Sequence, residues 1–307
     1  MTGKPHKPPA LRIDDTVGVV ATSAAVDREN LERGVGVLAS MGYRVKVSDH
    51  ALDRAGIFAG NDRDRARELN AFFADPAVKA IFSARGGYGC GRLLPLIDFA
   101  AIKRNPKIFL GFSDATFLLN ALVDRAEAVA FHGPMVAMDF ANGLTPRSLD
   151  HLKCLLGGET RQFDLEARET LHPGTGEGLL VGGCLSVVVA TLATPFAPSF
   201  DGRILFLEDT GEKAYRVDRM LVQLKQAGVF ERVAGVVFGA IRPADGSPQE
   251  RSRITEFVAE QTAGVSGPVL FGIEAGHGTE NLTLPLGVHA KLDSSTRRLI
   301  IPEPAVV

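Results

Sequence analysis

The sequence predicts an α/β protein with an N-terminal three-layer α/β domain, whose sheet is mainly parallel, and a C-terminal β-rich, barrel-like domain. Two patterns predict it: in the first half, short apolar runs alternate with segments of helical spacing, and in the second half strands dominate. Strands that alternate with helices form parallel sheets that are covered on both faces. A length of 307 residues favours two domains, because a domain typically takes about 100–200 residues.

The first half begins with a buried strand at 17–21, followed by a segment at 27–41 that places Leu31, Val35 and Leu38 on one helix face. Further strands are predicted at 43–47, 78–83, 107–111 and 129–132, and further helices at 62–73, 92–99 and 115–125.

Residues that break helices and strands cluster near residues 150–180, where glycine and proline occur at Gly157-Gly158 and Pro173-Gly174. These clusters predict a linker at 156–176, between an N-terminal domain at 1–155 and a C-terminal domain at 177–307. The C-terminal domain has predicted strands at 178–181, 203–208, 233–238, 269–271 and 299–301, and predicted helices at 185–194, 217–227 and 252–262.

Composition narrows the function classes. The formal net charge is −2 and there is no basic run with interleaved aromatics, so we expect no nucleic-acid partner. Apolar runs are far shorter than the ~20 residues that span a bilayer, and the polar, proline-rich start does not resemble a signal peptide. We therefore expect a cytoplasmic protein without a membrane partner. The three cysteines lack paired metal-ligand spacing, and we expect no metal and no cofactor.

Three loops follow strands of the predicted parallel sheet, at 22–24, 85–89 and 111–114. Ligands of such sheets bind beyond the carboxyl ends of the strands. The loop at 85–89 contains three glycines, which let a backbone approach a ligand and donate N–H groups to an oxyanion. It lacks the Lys-Ser/Thr ending of a phosphate-binding loop, so hydrolysis is favoured over nucleotide binding. A plain tight turn is the alternative.

Ser113 stands between an apolar strand and an apolar-faced helix, after a glycine that permits a tight turn. This arrangement is typical of a nucleophilic serine, whose oxyanion partner is the next backbone N–H, that of Asp114. The alternative is a helix cap, since serine and aspartate are common at helix starts. Taken alone, the pattern favours the cap.

A nucleophilic serine needs a base and a carboxylate that orients it. Of the seven histidines, His132 and His277 remain as candidates, and His277 lies between two glycines on an approachable backbone. The carboxylate is Glu208 or Asp209, which end an apolar strand on opposite faces. The residues themselves leave both choices open.

Several segments together resemble one family, the LD-carboxypeptidases of the S66 serine peptidases, which include muramoyltetrapeptide carboxypeptidases and microcin C immunity peptidases. The matching segments occur in the order of the family, across roughly residues 15–305. They are Ala84 to Gly89, Gly111 to Asp114, His132 to Met135, Leu207 to Asp209, Tyr215, Asp218 to Met220, Gly276 to Gly278, Asn281, and Thr283 to Gly287.

The resemblance implies a triad of Ser113 as nucleophile, His277 as base and Glu208 as the orienting acid, with the site between the two domains. It implies oxyanion donors near Gly87 and at Asp114. Gly86 belongs to the same loop, and Arg85 is a candidate for the free carboxylate of the substrate.

The expected reaction is cleavage of the L,D peptide bond that releases the terminal D-alanine of murein tetrapeptides, in peptidoglycan recycling. One alternative is immunity by cleavage of a peptide–nucleotide antibiotic of the microcin C type. A distant alternative is a two-lobed, non-catalytic binding protein. Members of the family are commonly dimeric, so a homodimer is expected. The chain departs from the family at Phe112, often Tyr, and at Cys184, often Asn.

Overall fold

The protein is described here by a computed structural model that covers residues 5–307. The chain forms two compact units. The first unit contains the chain up to Thr160 together with Thr283–Gly287 and Pro304–Val307, and the second unit contains Arg161–Leu282 and Val288–Glu303. Residues 1–4, which belong to the polar start of the chain, lie outside the described residues.

The strands, in chain order, are β1 (Thr16–Val20), β2 (Arg44–Val47), β3 (Val78–Ser83), β4 (Ile108–Gly111), β5 (Ala130–His132), β6 (Phe163–Glu166), β7 (Glu169–His172), β8 (Thr175–Cys184), β9 (Ile204–Glu212), β10 (Gly235–Pro243), β11 (Val269–Phe271), β12 (Leu284–Leu286), β13 (His289–Asp293) and β14 (Arg298–Ile301). The α-helices are α1 (Arg28–Ser40), α2 (Asp62–Ala74), α3 (Phe99–Arg104), α4 (Thr116–Arg125), α5 (Pro146–Leu156), α6 (Leu185–Thr191), α7 (Ala214–Gln226) and α8 (Pro248–Thr262). Across residues 5–307, no helix has the length and apolar character needed to cross a membrane.

The first unit contains a six-stranded sheet in the order β12-β5-β4-β3-β1-β2. Strands β1 to β5 pair in parallel, and β12 pairs with β5 in antiparallel fashion. The central strands β3 and β4 are buried almost throughout, as expected of a sheet that is covered on both faces. The predicted parallel α/β domain is confirmed. Its carboxyl edge carries the loops that follow β1, β3 and β4.

The second unit contains an eight-stranded sheet in the order β6-β14-β13-β8-β9-β10-β11-β7. Its centre, β8 to β11, is parallel, and antiparallel strands flank it on both sides. Apolar residues of α6, α7 and α8 pack with the central strands into one buried core. The mixed, strand-rich unit was predicted. A closed barrel is not found among the described strands, since the order has ends at β6 and β7.

The segment predicted as a linker contains regular structure instead. Strands β6 and β7 lie within 156–176, and β8 begins there. Gly158 adopts a φ of +75° just after α5, and Gly174 a φ of +141° between β7 and β8. The breaker residues therefore make turns at the ends of elements, which is the commoner use of glycine at positive φ.

The helix predicted at 92–99 does not form as one continuous α-helix. The chain forms a 3₁₀-helix at Cys90–Leu96 and then the short helix α3. Pro95 lies inside that segment. A proline lacks the N–H that continues an α-helix and clashes with the preceding turn, which explains the break.

Candidate active site

Ser113 lies directly beyond the carboxyl end of β4, in a short 3₁₀-helix at Ser113–Ala115. Its backbone φ is +58°, a left-handed conformation that residues other than glycine, asparagine and aspartate rarely adopt. Ala115 stands at the N-cap position of α4, and no side-chain hydrogen bond caps either helix. The structure therefore does not use Ser113 as a helix cap. A strained strand-to-helix turn is the geometry of a serine nucleophile.

Gly86 lies against the Ser113 side chain. A Cβ at position 86 would stand 2.9 Å from the Ser113 Cβ and 3.0 Å from its Oγ. It would also lie 3.4 Å from the Met135 Cε. The missing side chain thus leaves the space that the Ser113 hydroxyl occupies, which explains why this position carries glycine.

The loop after β3 continues with Gly87, which is exposed and has a φ of +104°. A Cβ there would meet the Ala24 Cβ at 2.7 Å, so the loop packs tightly on the loop after β1. Arg85 is half-buried and donates from Nη1 to the backbone oxygen of Ala25 at 3.0 Å. A guanidinium has five N–H donors, so this bond leaves Arg85 with donors for a carboxylate.

Asp114 directs its carboxylate inward and is 3% exposed. Its Oδ2 accepts the Cys90 N–H at 2.8 Å, and a second hydrogen bond joins the carboxylate to the Ser23 side chain. Burial raises the pKa of Asp114, while the bonds from Ser23 and Cys90 and the charge of Arg65 act in the opposite direction. The Asp114 side chain is thus engaged by Cys90 and Ser23.

In the second unit, Glu208 and His277 form a close pair. The Nδ1 atom of His277 lies 2.6 Å from Oε2 of Glu208, and the same oxygen accepts the His277 backbone N–H at 2.9 Å. The Glu208 side chain is fully buried, whereas that of His277 is 18% exposed. An ionised carboxylate only accepts hydrogen bonds, so Nδ1 carries the proton and Nε2 is left as a base.

Two further residues fix this pair. Gly276 has a φ of +92°, and a Cβ there would lie 2.4 Å from the Glu208 Oε2, so only glycine lets the loop approach the carboxylate. The Gly276 N–H donates to Oδ1 of Asn281 at 2.9 Å. Gly276 thus serves close packing against Glu208, and mobility need not be invoked for it.

Asp209 and His132, the other candidates for the acid and the base, have different environments. Asp209 is 3% exposed, and its Oδ2 accepts the Ser186 N–H at 2.7 Å, which satisfies the start of α6. His132 is fully buried in β5, with its ring 5.6 Å from that of Phe112 in an edge contact. A fully buried ring does not provide an accessible base, and Asp209 is engaged at the start of α6.

Cys184, which stands where the family often has asparagine, is paired with Glu208 across β8 and β9. Its Sγ lies 3.3 Å from the Ser186 Oγ. Burial raises the pKa of the Cys184 thiol, and the nearby carboxylates of Asp209 and Glu208 act in the same direction. The thiol therefore stays neutral and packs as a small side chain beside Glu208.

The second unit also contains a cleft of about 700 Å³ at the carboxyl ends of β9, β10 and β11, within the usual size of small-molecule sites. Thr210 follows Glu208 by two positions and Gly278 follows His277, and both line the cleft. Its lining includes three arginines and three acids, Arg168, Arg242, Arg251, Asp245, Glu274 and Glu280. This cleft was not predicted from the sequence. The signal that could have found it is that Asp245 and Glu274 follow the parallel strands β10 and β11.

The chain belongs to the LD-carboxypeptidase family, peptidase family S66. The N-terminal domain of that family matches residues 17–133, and the C-terminal domain matches residues 177–292. The resemblance seen in the sequence is confirmed, and with it the class of the protein, a carboxypeptidase-type hydrolase.

Relatives in three organisms extend the match. A probable murein peptide carboxypeptidase of Bacillus subtilis is 36% identical over 96% of this chain and 94% of its own. The microcin C7 self-immunity protein MccF of Escherichia coli is 28% identical over 95% and 94%. The crystal structure of the muramoyltetrapeptide carboxypeptidase from Oxalobacter formigenes superposes with a TM-score of 0.82 at 32% identity, covering 93% of this chain and 97% of that one.

Proposed function

We propose that this chain is a serine-type LD-carboxypeptidase that removes the terminal D-alanine from murein tetrapeptides, in the cytoplasm and in the service of peptidoglycan recycling. The observation that carries the proposal is the Glu208–His277 pair, a histidine oriented by a buried carboxylate at 2.6 Å. Two relatives, from Bacillus subtilis and Oxalobacter formigenes, are named for murein peptide or muramoyltetrapeptide carboxypeptidases.

Ser113 is the nucleophile in this proposal and His277 is the base. Nε2 of His277 takes the hydroxyl proton while Oγ of Ser113 attacks the carbonyl carbon of the L,D peptide bond. The tetrahedral intermediate collapses, the C–N bond breaks, and the leaving amine of D-alanine takes the proton from His277. Water then attacks the acyl ester, gives a proton to His277, and Ser113 recovers its proton as the shortened peptide leaves. Glu208 stabilises the imidazolium in both halves.

The oxyanion is stabilised by the backbone N–H groups of Gly87 and Asp114. Fixed N–H donors aimed at a developing charge are worth roughly a hundredfold to a thousandfold in kcat each. Gly86 keeps the approach to Ser113 open. Arg85 binds the free carboxylate of the substrate through the guanidinium N–H groups that Ala25 does not use.

The cleft beside the His277 loop suits the rest of the peptide. Arg242 donates only to the neutral Thr279 Oγ1, at 3.2 Å, and Arg251 only to the Gly246 oxygen, at 2.9 Å, among the described hydrogen bonds. Guanidinium groups without a carboxylate partner in a concave site attract anions. Because the lining also carries three acids, the cleft suits a peptide that has both carboxylate and amino groups.

The direct test is incubation of the purified protein with UDP-MurNAc-tetrapeptide and chromatographic analysis of free D-alanine. The wild type is expected to release D-alanine, and Ser113→Ala is expected to release none above background. Equal release by both proteins, or release by neither, would contradict the proposal. A melting curve of Ser113→Ala that matches the wild type shows that the loss does not come from unfolding.

A second candidate, cleavage of a peptide–nucleotide conjugate, is favoured by one observation. Tyr88 follows Gly87 directly, is 54% exposed, and lies with its ring 5.7 Å from that of Phe58. An exposed aromatic ring beside the reaction centre can stack a nucleobase. If the conjugate is the substrate, an acyl-sulfamoyl-adenosine is cleaved faster than the tetrapeptide, and Tyr88→Ala slows only its cleavage.

A further inference from the structure

Two buried, charged side chains of the first unit have no part in the proposed chemistry. Arg65 in α2 is 1% exposed, and Asp114 is 3% exposed. Burying such groups is costly unless they are hydrogen-bonded and compensated. Their position, beneath the loops at the carboxyl edge of the first sheet, calls for an explanation.

Asp114 joins the loops that follow three different strands. Its own loop follows β4, its Oδ2 accepts the Cys90 N–H of the loop after β3 at 2.8 Å, and it bonds the Ser23 side chain of the loop after β1. Ser23 is fully buried, so water does not compete for these bonds. One carboxylate therefore sets the separation between the segments that carry the two oxyanion donors.

Arg65 supports the same arrangement through the loop after β1. Its Nη1 donates to the backbone oxygens of Thr22, at 2.5 Å, and Ser23, at 3.4 Å, while Nη2 pairs with Asp62. Its charge also favours the ionised form of Asp114. Position 89 carries glycine at a φ of +132°, and a Cβ there would stand 2.8 Å from Nη1 of Arg65. The loop after β3 is thus built around this guanidinium.

We propose that the Asp114 side chain, with Arg65 behind it, is a positioning group that fixes the backbone N–H of Asp114 relative to that of Gly87, so that both donors meet the oxyanion at once. The inference rests on the proposed function. Oxyanion donors act only if they are placed before the charge develops. A displacement of about 1 Å costs about a hundredfold in rate, so a carboxylate held by two loops matters for the reaction.

The test separates transition-state binding from folding. Wild type, Asp114→Asn, Ser23→Ala and the matched control Asp98→Asn are compared by steady-state kinetics on the tetrapeptide. Inhibition by a tripeptide aldehyde, whose tetrahedral adduct places an oxygen in the oxyanion site, is measured for each. The carboxylate of Asp98 also accepts a backbone N–H, from Ala101 at 2.9 Å, but it stands at the start of α3. A fluorophosphonate titration counts the competent sites.

Per competent site, Asp114→Asn is expected to lower kcat/KM at least about tenfold and to weaken aldehyde binding in the same proportion, with KM little changed. Ser23→Ala moves both quantities in the same direction by less, and Asp98→Asn moves neither. Unchanged aldehyde affinity in Asp114→Asn would overturn the inference, since a structural residue changes the number of sites and not their affinity. If Asp114→Asn fails to fold, Ser23→Ala decides in the same way. A wild type that neither cleaves nor binds the aldehyde removes the proposed function itself.

Discussion

At the scale of single residues, Glu208 and Asp209 are neighbours in β9 with different environments. Glu208 bonds His277 twice, whereas Asp209 holds the start of α6. We expect Glu208→Gln to lower kcat by about 10³- to 10⁴-fold, because an amide no longer fixes the imidazole in the tautomer that leaves Nε2 basic. Asp209→Asn is the control and should keep kcat within about threefold per folded molecule. Equal losses in the two variants would refute the assignment of the acid.

Gly86 gives a second prediction at this scale. In Gly86→Ala the new Cβ would stand 3.0 Å from the Ser113 Oγ and 2.9 Å from its Cβ. The serine must shift, and we expect kcat/KM to fall by about a hundredfold or more while the melting temperature changes little. Gly36→Ala, in α1 with no atom within 4 Å of the new Cβ, is the control. It should keep full activity and gain about 0.5–1 kcal/mol of stability. Wild-type kinetics in Gly86→Ala would contradict the geometry.

The candidate site was partly predictable from residues. The turn at Ser113 and the glycine-rich loop were recognised from local pattern, but the choice between a cap and a nucleophile depends on φ, which no local pattern specifies. The choice of Glu208 over Asp209 depends on which face of β9 meets the loop around His277. The roles of Arg65 and Ser23 were not predicted, because the contacts that define them join residues distant in sequence.

At the scale of elements, the parallel strands and their helices were predicted well. The spacing of apolar residues along each of these segments matches the residues that are buried. The failures have local causes. Pro95 broke the predicted helix at 92–99, and the glycines near residues 157 and 174 were assigned to a linker although they form turns between regular elements. Strands β6 and β7 were missed for that reason.

Lys107 gives a prediction at this scale, since it leads into β4 and is 6% exposed. Its Nζ donates to the Phe72 backbone oxygen at 2.8 Å, and burial lowers its pKa from 10.5 to about 8. Between pH 8 and about 10.4 the unfolded chain binds the proton and the folded chain does not, so this residue makes stability rise with pH. Denaturant unfolding should show the wild type gaining stability relative to Lys107→Met over that window. A constant difference would contradict the prediction.

At the scale of the whole molecule, the chain does not divide at a single point. Two units exist, but Thr283–Gly287 and Pro304–Val307 return to the first unit. Strand β12 pairs with β5, residues more than a hundred positions away in the chain. Local composition does not predict this pairing, because the antiparallel pairing of an edge strand depends on the three-dimensional path of the whole chain.

The oligomeric state stays a prediction at this scale. Family resemblance predicts a homodimer. Light scattering on a size-exclusion column is expected to give twice the 32.7 kDa mass of one chain, with no change on dilution into the low micromolar range. A mass of one chain at all concentrations would contradict it.

Mass spectrometry of the quenched reaction tests most directly whether Ser113 forms an acyl-enzyme with a murein peptide. The protein is mixed with the tetrapeptide, quenched in acid within milliseconds, and digested. We predict that the peptide containing Ser113 gains the mass of the acyl tripeptide as D-alanine is released, and that Glu208→Gln accumulates less of it. Release of D-alanine that persists in Ser113→Ala, with no adduct at this residue in the wild type, would contradict the account.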